Sequence, residues 1–426
     1  MFNKEIFALA LTCLLVACGG SSGSSSAPTA PGGFNDGSAP QATGGNDAGN
    51  TVTTVGDPRG CTYSLSSDIT SPTRLVNTPS DCDYLLTDWI DVRSLLEIEP
   101  GTVIRSNPDE RIFVEGGEIR AIGTPSQRIV FEGLASVQGY WRGIDVDFAR
   151  GITMDYVDIK DAGQVCTILF CPDVGFQIDD SPLSFTNSSV SNSYVHGMSI
   201  NEDVRIDAFS GNRFYGNGLN GLTISIERVP SLDAGTDYYG LERANGNPSV
   251  RVHLGEQFSG AVFQWKALNA PYFIGAYLNI EGGILQLDPG VEIVFDAEAW
   301  MTVRGNGVLK ALGTETDPVI IRGAEATPGY WDGIRMSDTN FDTHVLQHTI
   351  LSHSGNTEGL LSAFAALRMD EASITLIGAT FVDNSKWGIY CTEPDSVTVA
   401  SVLVDGGGNR FGRNGSGDFH TNCAIR

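Results

Sequence analysis

Residues 139–144 read Gly-Tyr-Trp-Arg-Gly-Ile, and residues 329–334 read Gly-Tyr-Trp-Asp-Gly-Ile. Two further blocks repeat in the same order and with the same spacing to within one residue. They are Pro-Gly-Thr-Val-Ile at 100–104 with Pro-Gly-Val-Glu-Ile at 289–293, and Ala-Ile-Gly-Thr at 121–124 with Ala-Leu-Gly-Thr at 311–314. Three blocks in a common order predict two tandem copies of one long unit, and such a repeat has to be recognised before a fold is assigned.

The sequence around these blocks is typical of short β-strands. Apolar residues alternate over a few positions and are separated by Gly, Asn and Asp, while helical periodicity is nearly absent. The runs recur at intervals of roughly twenty to twenty-five residues, the length of one β-solenoid coil. Residues 186–200 and 377–391 share one pattern: a short strand, an Asn turn, a Gly and an alternating strand. An all-β solenoid is therefore predicted, ahead of a pair of β-sandwiches.

The three blocks resemble those of right-handed parallel β-helix proteins of the pectate-lyase-like superfamily. The resemblance is closest to its adhesin-like bacterial lipoproteins, whose coils carry Pro-Gly-Thr-x-Ile, Ala-x-Gly-Thr and Gly-x-Trp-x-Gly-Ile. It covers about residues 84–426 and is vague over 225–270. It implies a right-handed parallel β-helix in two tandem copies, with copy 1 at 84–255, a joint at 256–271 and copy 2 at 272–426.

The N-terminal residues predict export and a lipid anchor. Lys4 precedes an apolar run that is too short to span a bilayer and ends in Leu-Val-Ala-Cys at 15–18, which resembles a lipobox. We therefore expect a signal peptide at 1–17 and acylation of Cys18. Gly19 follows the cysteine, so the outer membrane is the expected location, with the body facing the periplasm or exposed at the cell surface. Residues 18–58 are rich in Gly, Ser and Pro and predict a disordered tether.

Six cysteines remain after the signal peptide and the lipid anchor are set aside. An even number in an exported chain indicates disulfides, and fifteen pairings are open. Local closure favours three of these pairings, with the first closing a capped segment at 59–83. Zinc binding is disfavoured because no second Cys or His pair is in register. The favoured pairs are Cys61–Cys82, Cys166–Cys171 and Cys391–Cys423.

The net charge of the chain limits the kinds of partner that it is expected to bind. The chain has 51 acidic and 26 basic residues and a net charge of −25. Such a surface repels nucleic acid and anionic membrane surfaces. No phosphate-binding loop and no repeated Asp-rich calcium motif occurs, so no cofactor and no dedicated metal site is expected. The expected partners are the membrane, through the lipid at Cys18, and a polysaccharide or a surface protein.

One group of residues suggests catalysis. Asp179 and Asp180, followed by His196, resemble the Asp-Asp and Gly-His-Gly blocks of polygalacturonase-like glycoside hydrolases, which use aspartates on successive coils. The family's Asn-Thr-Asp and Arg-Ile-Lys blocks have no match here, and Val195 replaces the first Gly. The prediction is therefore a non-catalytic surface or periplasmic interaction module, with the hydrolase as the alternative.

Two tryptophans and three histidines are further candidates for ligand binding. Trp141 and Trp331 occupy the same position in both copies, so they predict either a structural stack or, if exposed, platforms for sugar rings. His344, His348 and His353 lie close in sequence. On a strand, however, the first two would be about 13 Å apart and the third would face the opposite side. Surface or turn histidines are expected rather than a metal site.

Overall fold

The computed structural model describes residues 53–54, 60–163, 174–253, 259–339, 343–356, 364–393, 400–420 and 422–426. These residues form 39 β-strands and a single 3-10 helix, Ile226–Ser231. Every strand pairing is parallel except one at the N-terminal end. The chain therefore runs round a common core and returns to the same sheet once per coil, which gives an all-β, solenoid-like stack of parallel sheets.

The strands belong to four sheets. Sheet 1 has eight strands: Thr53–Thr54, Tyr63–Leu65, Tyr84–Leu86, Val103–Ser106, Ile129–Gly133, Val157–Lys160, Ser189–Ser191 and Arg213–Tyr215. Sheet 2 has thirteen: Ile90–Val92, Arg111–Glu115, Gly143–Asp147, Val174–Ile178, His196–Ile200, Leu222–Ser225, Val250–His253, Tyr272–Ile274, Glu292–Phe295, Val319–Gly323, Thr349–Ser352, Thr380–Val382 and Arg410–Gly412. Sheet 3 has six: Thr73–Leu75, Leu95–Ile98, Glu118–Ile122, Gly151–Asp155, Pro182–Thr186 and Arg205–Ser210.

Sheet 4 has twelve strands in two limbs that share the long strand Ala365–Ile377. Limb 4a also contains Tyr277–Ile280, Trp300–Arg304, Gly333–Thr339, Trp387–Cys391 and Gly417–Phe419. Limb 4b also contains Ser259–Trp265, Gly282–Leu287, Val308–Leu312, Val345–Gln347, Val402–Asp405 and Ala424–Ile425.

Inward-facing and outward-facing side chains alternate along each strand, and the inward-facing ones form the core. In the strand Arg111–Glu115, Ile112 and Val114 are buried, and Phe113 between them faces outward. The parallel register repeats this choice from coil to coil, since Ile112 pairs with Ile144 and Ile144 with Phe176. Side chains of equal character therefore stack in columns, and the burial of apolar area along these columns drives folding.

Some of the coils are longer than the sequence predicts. The register advances 22 residues from Phe176 to Met198, within the predicted interval, but 32 residues from Ile112 to Ile144. In the longer coil, the connection from sheet 3 to sheet 1 and the connection from sheet 1 to sheet 2 are each five residues longer than in the shorter coil. A loop on the outside of a coil adds residues without disturbing the stacked strands, so strand spacing in sequence is a loose guide to coil size.

Asn and positive-φ residues form the tight corners. Tyr156, Asn187 and Gly211 lie beside one another on successive coils with φ of 53°, 51° and 64°. Buried amides brace other corners, because Asn217 Nδ2 donates to Asn245 Oδ1 at 2.9 Å, and Asn384 Nδ2 donates to Asn414 Oδ1 at 2.9 Å. The same two amides also donate to the backbone carbonyls of Val190 and Leu351, which satisfies buried acceptors at these corners.

The repeated blocks lie on different sheets in the two halves. The first Gly-x-Trp-x-Gly-Ile block enters the strand Gly143–Asp147 of sheet 2, and the second enters Gly333–Thr339 of limb 4a. The Pro-Gly blocks likewise enter Val103–Ser106 of sheet 1 and Glu292–Phe295 of sheet 2. The second set is therefore displaced by one face of the coil relative to the first.

This displacement arises in the segment that follows Leu222–Ser225. Val250–His253 pairs with Leu222–Ser225 on one side and with Tyr272–Ile274 on the other, so sheet 2 runs through. Between these strands, residues 226–249 form the 3-10 helix and loops. Sheets 1 and 3 end before this segment and sheet 4 begins after it. Of the four sheets, only sheet 2 crosses this region of the described chain.

Two of the three favoured disulfides are present, Cys61–Cys82 and Cys391–Cys423. Cys166 and Cys171 lie outside the described residues, as do the signal peptide, Cys18 and most of the tether. Within the span 18–58 assigned to the tether, Thr53–Thr54 forms a strand antiparallel to Tyr63–Leu65. β-Branched residues favour this extended pairing. None of the described helices is long and apolar enough to cross a membrane.

Candidate functional site

The structure separates His196 from the two predicted aspartates. Asp179 and Asp180 follow the end of Val174–Ile178, whereas His196 begins the next strand and pairs with Val174. Five residues along a strand correspond to about 16 Å. His196 Nδ1 instead accepts a hydrogen bond from the backbone N–H of Asn220 at 3.3 Å. The expected grouping of these three residues is corrected, because sequence proximity does not reveal the register between strands.

Other carboxylates join Asp179 and Asp180 on sheet 2. Val146 pairs with Ile178, which places Asp147 beside Asp179, and Asp147 pairs with Glu115 on the preceding coil. Asp145 faces outward two residues before Asp147, opposite Gln177. We call this group the acidic column; its members are Glu115, Asp145, Asp147, Asp179 and Asp180. Its side chains lie on three successive coils near the carboxyl ends of the strands.

Asp179 and Asp180 have different surroundings. Asp179 is half-buried and accepts hydrogen bonds from Gln177 Nε2, at 2.7 Å, and from the Asn201 amide. Asp180 is exposed and has a φ of 38°, so it forms the corner that follows the strand. Asp179 is thus held in a fixed position by its neighbours, while Asp180 contributes charge beside it.

Burial and mutual repulsion raise the pKa values in the acidic column. Burial raises the pKa of Asp145 to about 6; Arg111, whose Nη1 lies 3.5 Å from the carboxylate, opposes this shift, and Asp179 and Asp147 add to it. Burial also raises the pKa of Asp147 and of Asp179, with a further contribution from neighbouring carboxylates. A carboxyl group with a pKa of about 6 is half protonated at that pH and can donate its proton there, so Asp145 could act as a general acid in mildly acidic solution.

A cavity of about 250 Å³ adjoins the column, and His253 faces it in place of His196. Ile224 pairs with Val252 and Ser225 with His253, so His253 lies at the same end of its strand as Asp179 does of its own. The cavity is lined by Asp179, Asp180, Asn201, Glu202, Asp203 and His253. The sequence carried no signal for His253, since it falls in the region where the repeat is vague.

An aromatic and cationic group lies at the N-terminal end of the same face. Trp89 is 45% exposed, and its indole Nε1 donates to the carbonyl of Asp109 at 2.7 Å. The guanidinium carbons of Arg111 and Arg142 lie 4.7 and 4.9 Å from the centre of the Trp89 ring system. Arg111 therefore joins this group to Asp145. Trp89 lies outside the repeated blocks, so the repeat pattern of the sequence gives no signal for it.

The repeated tryptophans belong to the core. Trp141 is 1% exposed and Trp331 is fully buried. Their indole Nε1 atoms donate to the carbonyls of Lys160 and Ser352 at 2.8 and 2.9 Å. Of the two interpretations, burial favours the structural stack, and stacking on a ligand is corrected because neither ring presents a face to solvent. Their shared position reflects the packing of the coil.

The three neighbouring histidines lie on separate segments. His344 precedes the strand Val345–Gln347, is fully buried and accepts the Leu309 N–H at its Nδ1 at 3.2 Å. Burial lowers the pKa of His344 to about 4. His348 and His353 occupy corners with positive φ. Across the residues that the structure describes, no group of three or more His, Cys, Asp or Glu side chains is arranged to hold a metal ion.

The chain matches no protein-family model, no curated protein and no solved structure. Its function is therefore inferred from the residues on these faces.

The raised pKa of Asp145 predicts a pH dependence of stability. The folded-state pKa of about 6 lies above the ordinary value of 3.8, so the protonated form is favoured in the folded chain. The resulting stabilisation is complete below the ordinary pKa and is lost as the pH rises through about 6. Relative to the Asp145→Asn variant, the wild-type protein should lose on the order of 2 kcal/mol between pH 4 and pH 7.

Urea unfolding at a series of pH values measures this difference. The control is Asp207→Asn, which removes an exposed carboxylate whose pKa is lowered by Arg205. It should leave the slope between pH 5 and pH 7 unchanged. Parallel pH profiles for the wild-type protein and Asp145→Asn would contradict the assignment.

Proposed function

We propose that this protein is an outer-membrane lipoprotein, anchored through acylated Cys18, whose body is a non-catalytic module that binds an extended polysaccharide or a surface protein. The N-terminal sequence supports the anchor. The parallel sheets support a right-handed β-helix of the pectate-lyase-like type, and the repeated blocks support its origin in two tandem copies. The displacement of these blocks by one face then gives the two halves different surfaces.

The observation that carries the binding function is the outward face of sheet 2. Its thirteen strands are spaced about 4.8 Å apart, so the face extends over roughly 57 Å. Each coil contributes one outward side chain at equivalent positions, for example Asp91, Phe113, Asp145 and Gln177. A ligand with a regular repeat can contact several coils at once, and solenoids present such extended surfaces for binding.

A binding assay with a chemical readout tests this function. The purified full-length chain is incubated with a panel of bacterial and algal polysaccharides, and retention is measured together with newly formed reducing ends. We expect retention without new reducing ends. Failure of every polysaccharide to bind would remove polysaccharide from the proposal.

Trp89→Ala should weaken polysaccharide binding about fivefold, because stacking on the exposed indole at the N-terminal end of sheet 2 contributes on the order of 1 kcal/mol. The matched control is Tyr239→Ala, which removes a 41% exposed aromatic ring outside the four sheets. It should bind like the wild-type protein. Equal losses in the two variants would argue against a specific role for Trp89.

A hydrolase remains the second candidate because of one observation, the raised pKa values of Asp145 and Asp179 on adjacent coils. Asp145 pairs with Gln177, so Asp179 is its diagonal neighbour on the next coil, with Cα atoms about 8 Å apart for the usual strand spacing and rise. Inverting glycosidases separate their two carboxyl groups by about 6.5–9.5 Å. In such a reaction Asp145 would protonate the leaving glycosidic oxygen, and Asp179 would take a proton from the water that attacks the anomeric carbon.

The same assay distinguishes the two candidates. New reducing ends that disappear in Asp145→Asn, with retention preserved, would establish hydrolysis. Their absence in the wild-type protein, together with retention, would establish binding alone.

A further inference from the structure

Limb 4a presents a row of polar and aromatic side chains. Asn279 pairs with Thr302, Thr302 with Arg335, Arg335 with Arg368, and Arg368 with Tyr390. Ile389 pairs with Phe419, so His420 follows beside Tyr390, and their ring centres are 4.3 Å apart. We call this group row 4a; its members are Asn279, Thr302, Arg335, Arg368, Tyr390 and His420. All six are partly exposed.

Two arginines at the centre of row 4a share one carboxylate. Arg335 Nε donates to Asp370 Oδ2 at 2.7 Å, and Arg368 Nε donates to Asp370 Oδ1 at 3.1 Å. The three side chains together carry a net charge of +1, because one carboxylate faces two guanidinium groups. The side chain of Arg335 remains 35% exposed. Its Nε is satisfied by Asp370, which leaves its terminal nitrogens available to an anion.

Aromatic rings flank this pair along the stack. On one side Tyr277 and Trp300 are stacked, with ring centres 5.4 Å apart and planes at 18°. On the other side lie Tyr390 and Trp387, whose rings are 4.3 and 5.5 Å from His420. The strands that carry Trp300 and Trp387 are three coils apart, about 14 Å. Rings on both sides of a cationic centre suit the apolar faces and charged groups of sugars.

The other charged side chains described near row 4a lie beside it or toward its ends. Glu393 follows Tyr390 by three residues and Asp418 precedes His420 by two, so neither carboxylate lies level with Arg335 and Arg368 on an adjacent strand. Arg304 and Glu281 neutralise each other at 2.8 Å beside the row. Asp338 and Glu371 form a corner three residues beyond Arg335 and Arg368, about 10 Å further along the strands. At that distance their repulsion of a bound anion is largely screened at physiological ionic strength.

The first half of the chain has the opposite charge at the equivalent position. Gly333-Ile334-Arg335 follows Trp331 as Gly143-Ile144-Asp145 follows Trp141. Arg335 therefore occupies the place of Asp145 in the repeat. The two equivalent positions also face different directions, since one lies on sheet 2 and the other on limb 4a.

We infer that row 4a is a binding site for an anionic polysaccharide, with a sugar carboxylate or sulfate bound by the terminal nitrogens of Arg335 and sugar rings lying against Trp300 and Tyr390. This inference rests on the proposed binding function; it adds a second binding face, on limb 4a, to that of sheet 2 and names the ligand class of that face. A guanidinium group can bind either a carboxylate or a sulfate through charge-assisted hydrogen bonds.

Calorimetric titration of the full-length chain tests the site with three polymers of similar length: polygalacturonate, a sulfated galactan and neutral dextran. We expect the anionic polymers to bind at least about tenfold more tightly than dextran, and more weakly as salt is raised. The relative affinities of polygalacturonate and the sulfated galactan show which anion the site prefers.

Variants at the arginine pair should change affinity in opposite directions. Arg335→Gln should weaken binding of the preferred anionic polymer about tenfold, because it removes one charge-assisted contact. Asp370→Asn should strengthen binding several-fold, because it removes the carboxylate that competes with the ligand. The matched control is Arg205→Gln, at an exposed arginine paired with Asp207 on sheet 3, and it should leave affinity unchanged.

The possible failures are distinct. If dextran binds as tightly as the anionic polymers and Arg335→Gln has no effect, the anionic site is wrong but the binding function stands. If none of the three polymers nor any polysaccharide of the wider panel binds, the proposed polysaccharide function itself fails. Thermal melting of each variant shows whether it is folded. If Arg335→Gln does not fold, Asp370→Asn decides, since unchanged or weaker binding in that variant would overturn the inference.

Discussion

Replacing Trp331 by alanine should lower the free energy of unfolding by about 4 kcal/mol. The indole is fully buried and lies against Phe295, with ring centres 4.4 Å apart and planes at 8°. The substitution leaves a cavity inside the coil and also removes the donor that bonds the Ser352 carbonyl. Both losses destabilise the folded chain, because the stacked coils above and below restrict collapse of the cavity.

Equilibrium unfolding in urea measures this effect, and Trp300→Ala is the matched control. Trp300 is partly exposed on the outer face of limb 4a, so its removal creates no closed cavity. The control should lose about 1 kcal/mol, mainly its stacking on Tyr277. Similar losses for the two tryptophans would contradict the assignment of Trp331 to the core and of Trp300 to the surface.

Gly143→Ala should destabilise the chain by a comparable amount, about 4 kcal/mol, from backbone strain and overpacking together. Gly143 has a φ of 106°, which side chains rarely tolerate. A Cβ atom there would lie 2.2 Å from the carbonyl oxygen of Gly175 on the next coil. The contact is with backbone that is already paired in sheet 2, so relief requires two coils to move apart.

The chain contains a matched control for this substitution. Gly151 begins the strand Gly151–Asp155, and a Cβ atom added there meets nothing within 4 Å. Gly151→Ala should be neutral or slightly stabilising, because alanine has less conformational freedom in the unfolded chain. Thermal melting compares the two variants directly. A stable Gly143→Ala protein would show that the corner before this strand can relax, contrary to the structure.

The candidate site was only partly predictable from the sequence. Asp179 and Asp180 stand next to each other and attract notice, but their partners Asp145 and Asp147 come from an earlier coil. His253, at the cavity, is more than seventy residues away from them in the chain. These residues meet because parallel strands align in register, and a shift by one position would turn their side chains to the opposite face.

The sequence alone determined the class of fold, because each of its signals is local. Alternation over a few residues selects strands, and Gly or Asn selects corners with positive φ. The two halves use the same signals, so both form coils of the same kind, and the nearby cysteines form the two disulfides that are described.

Only the tertiary structure decided which face each repeated block occupies. Sheet 2 continues past the non-repeating residues 226–249, whereas none of the other sheets does. Each repeated block of the second half consequently lies on the face that follows the one its counterpart occupies in the first half. Asp145 and Arg335, equivalent in the repeat, therefore lie on different surfaces with different neighbours. The face that each block occupies depends on the path of one irregular segment and on the strand register of every coil. Neither can be predicted from a local sequence pattern.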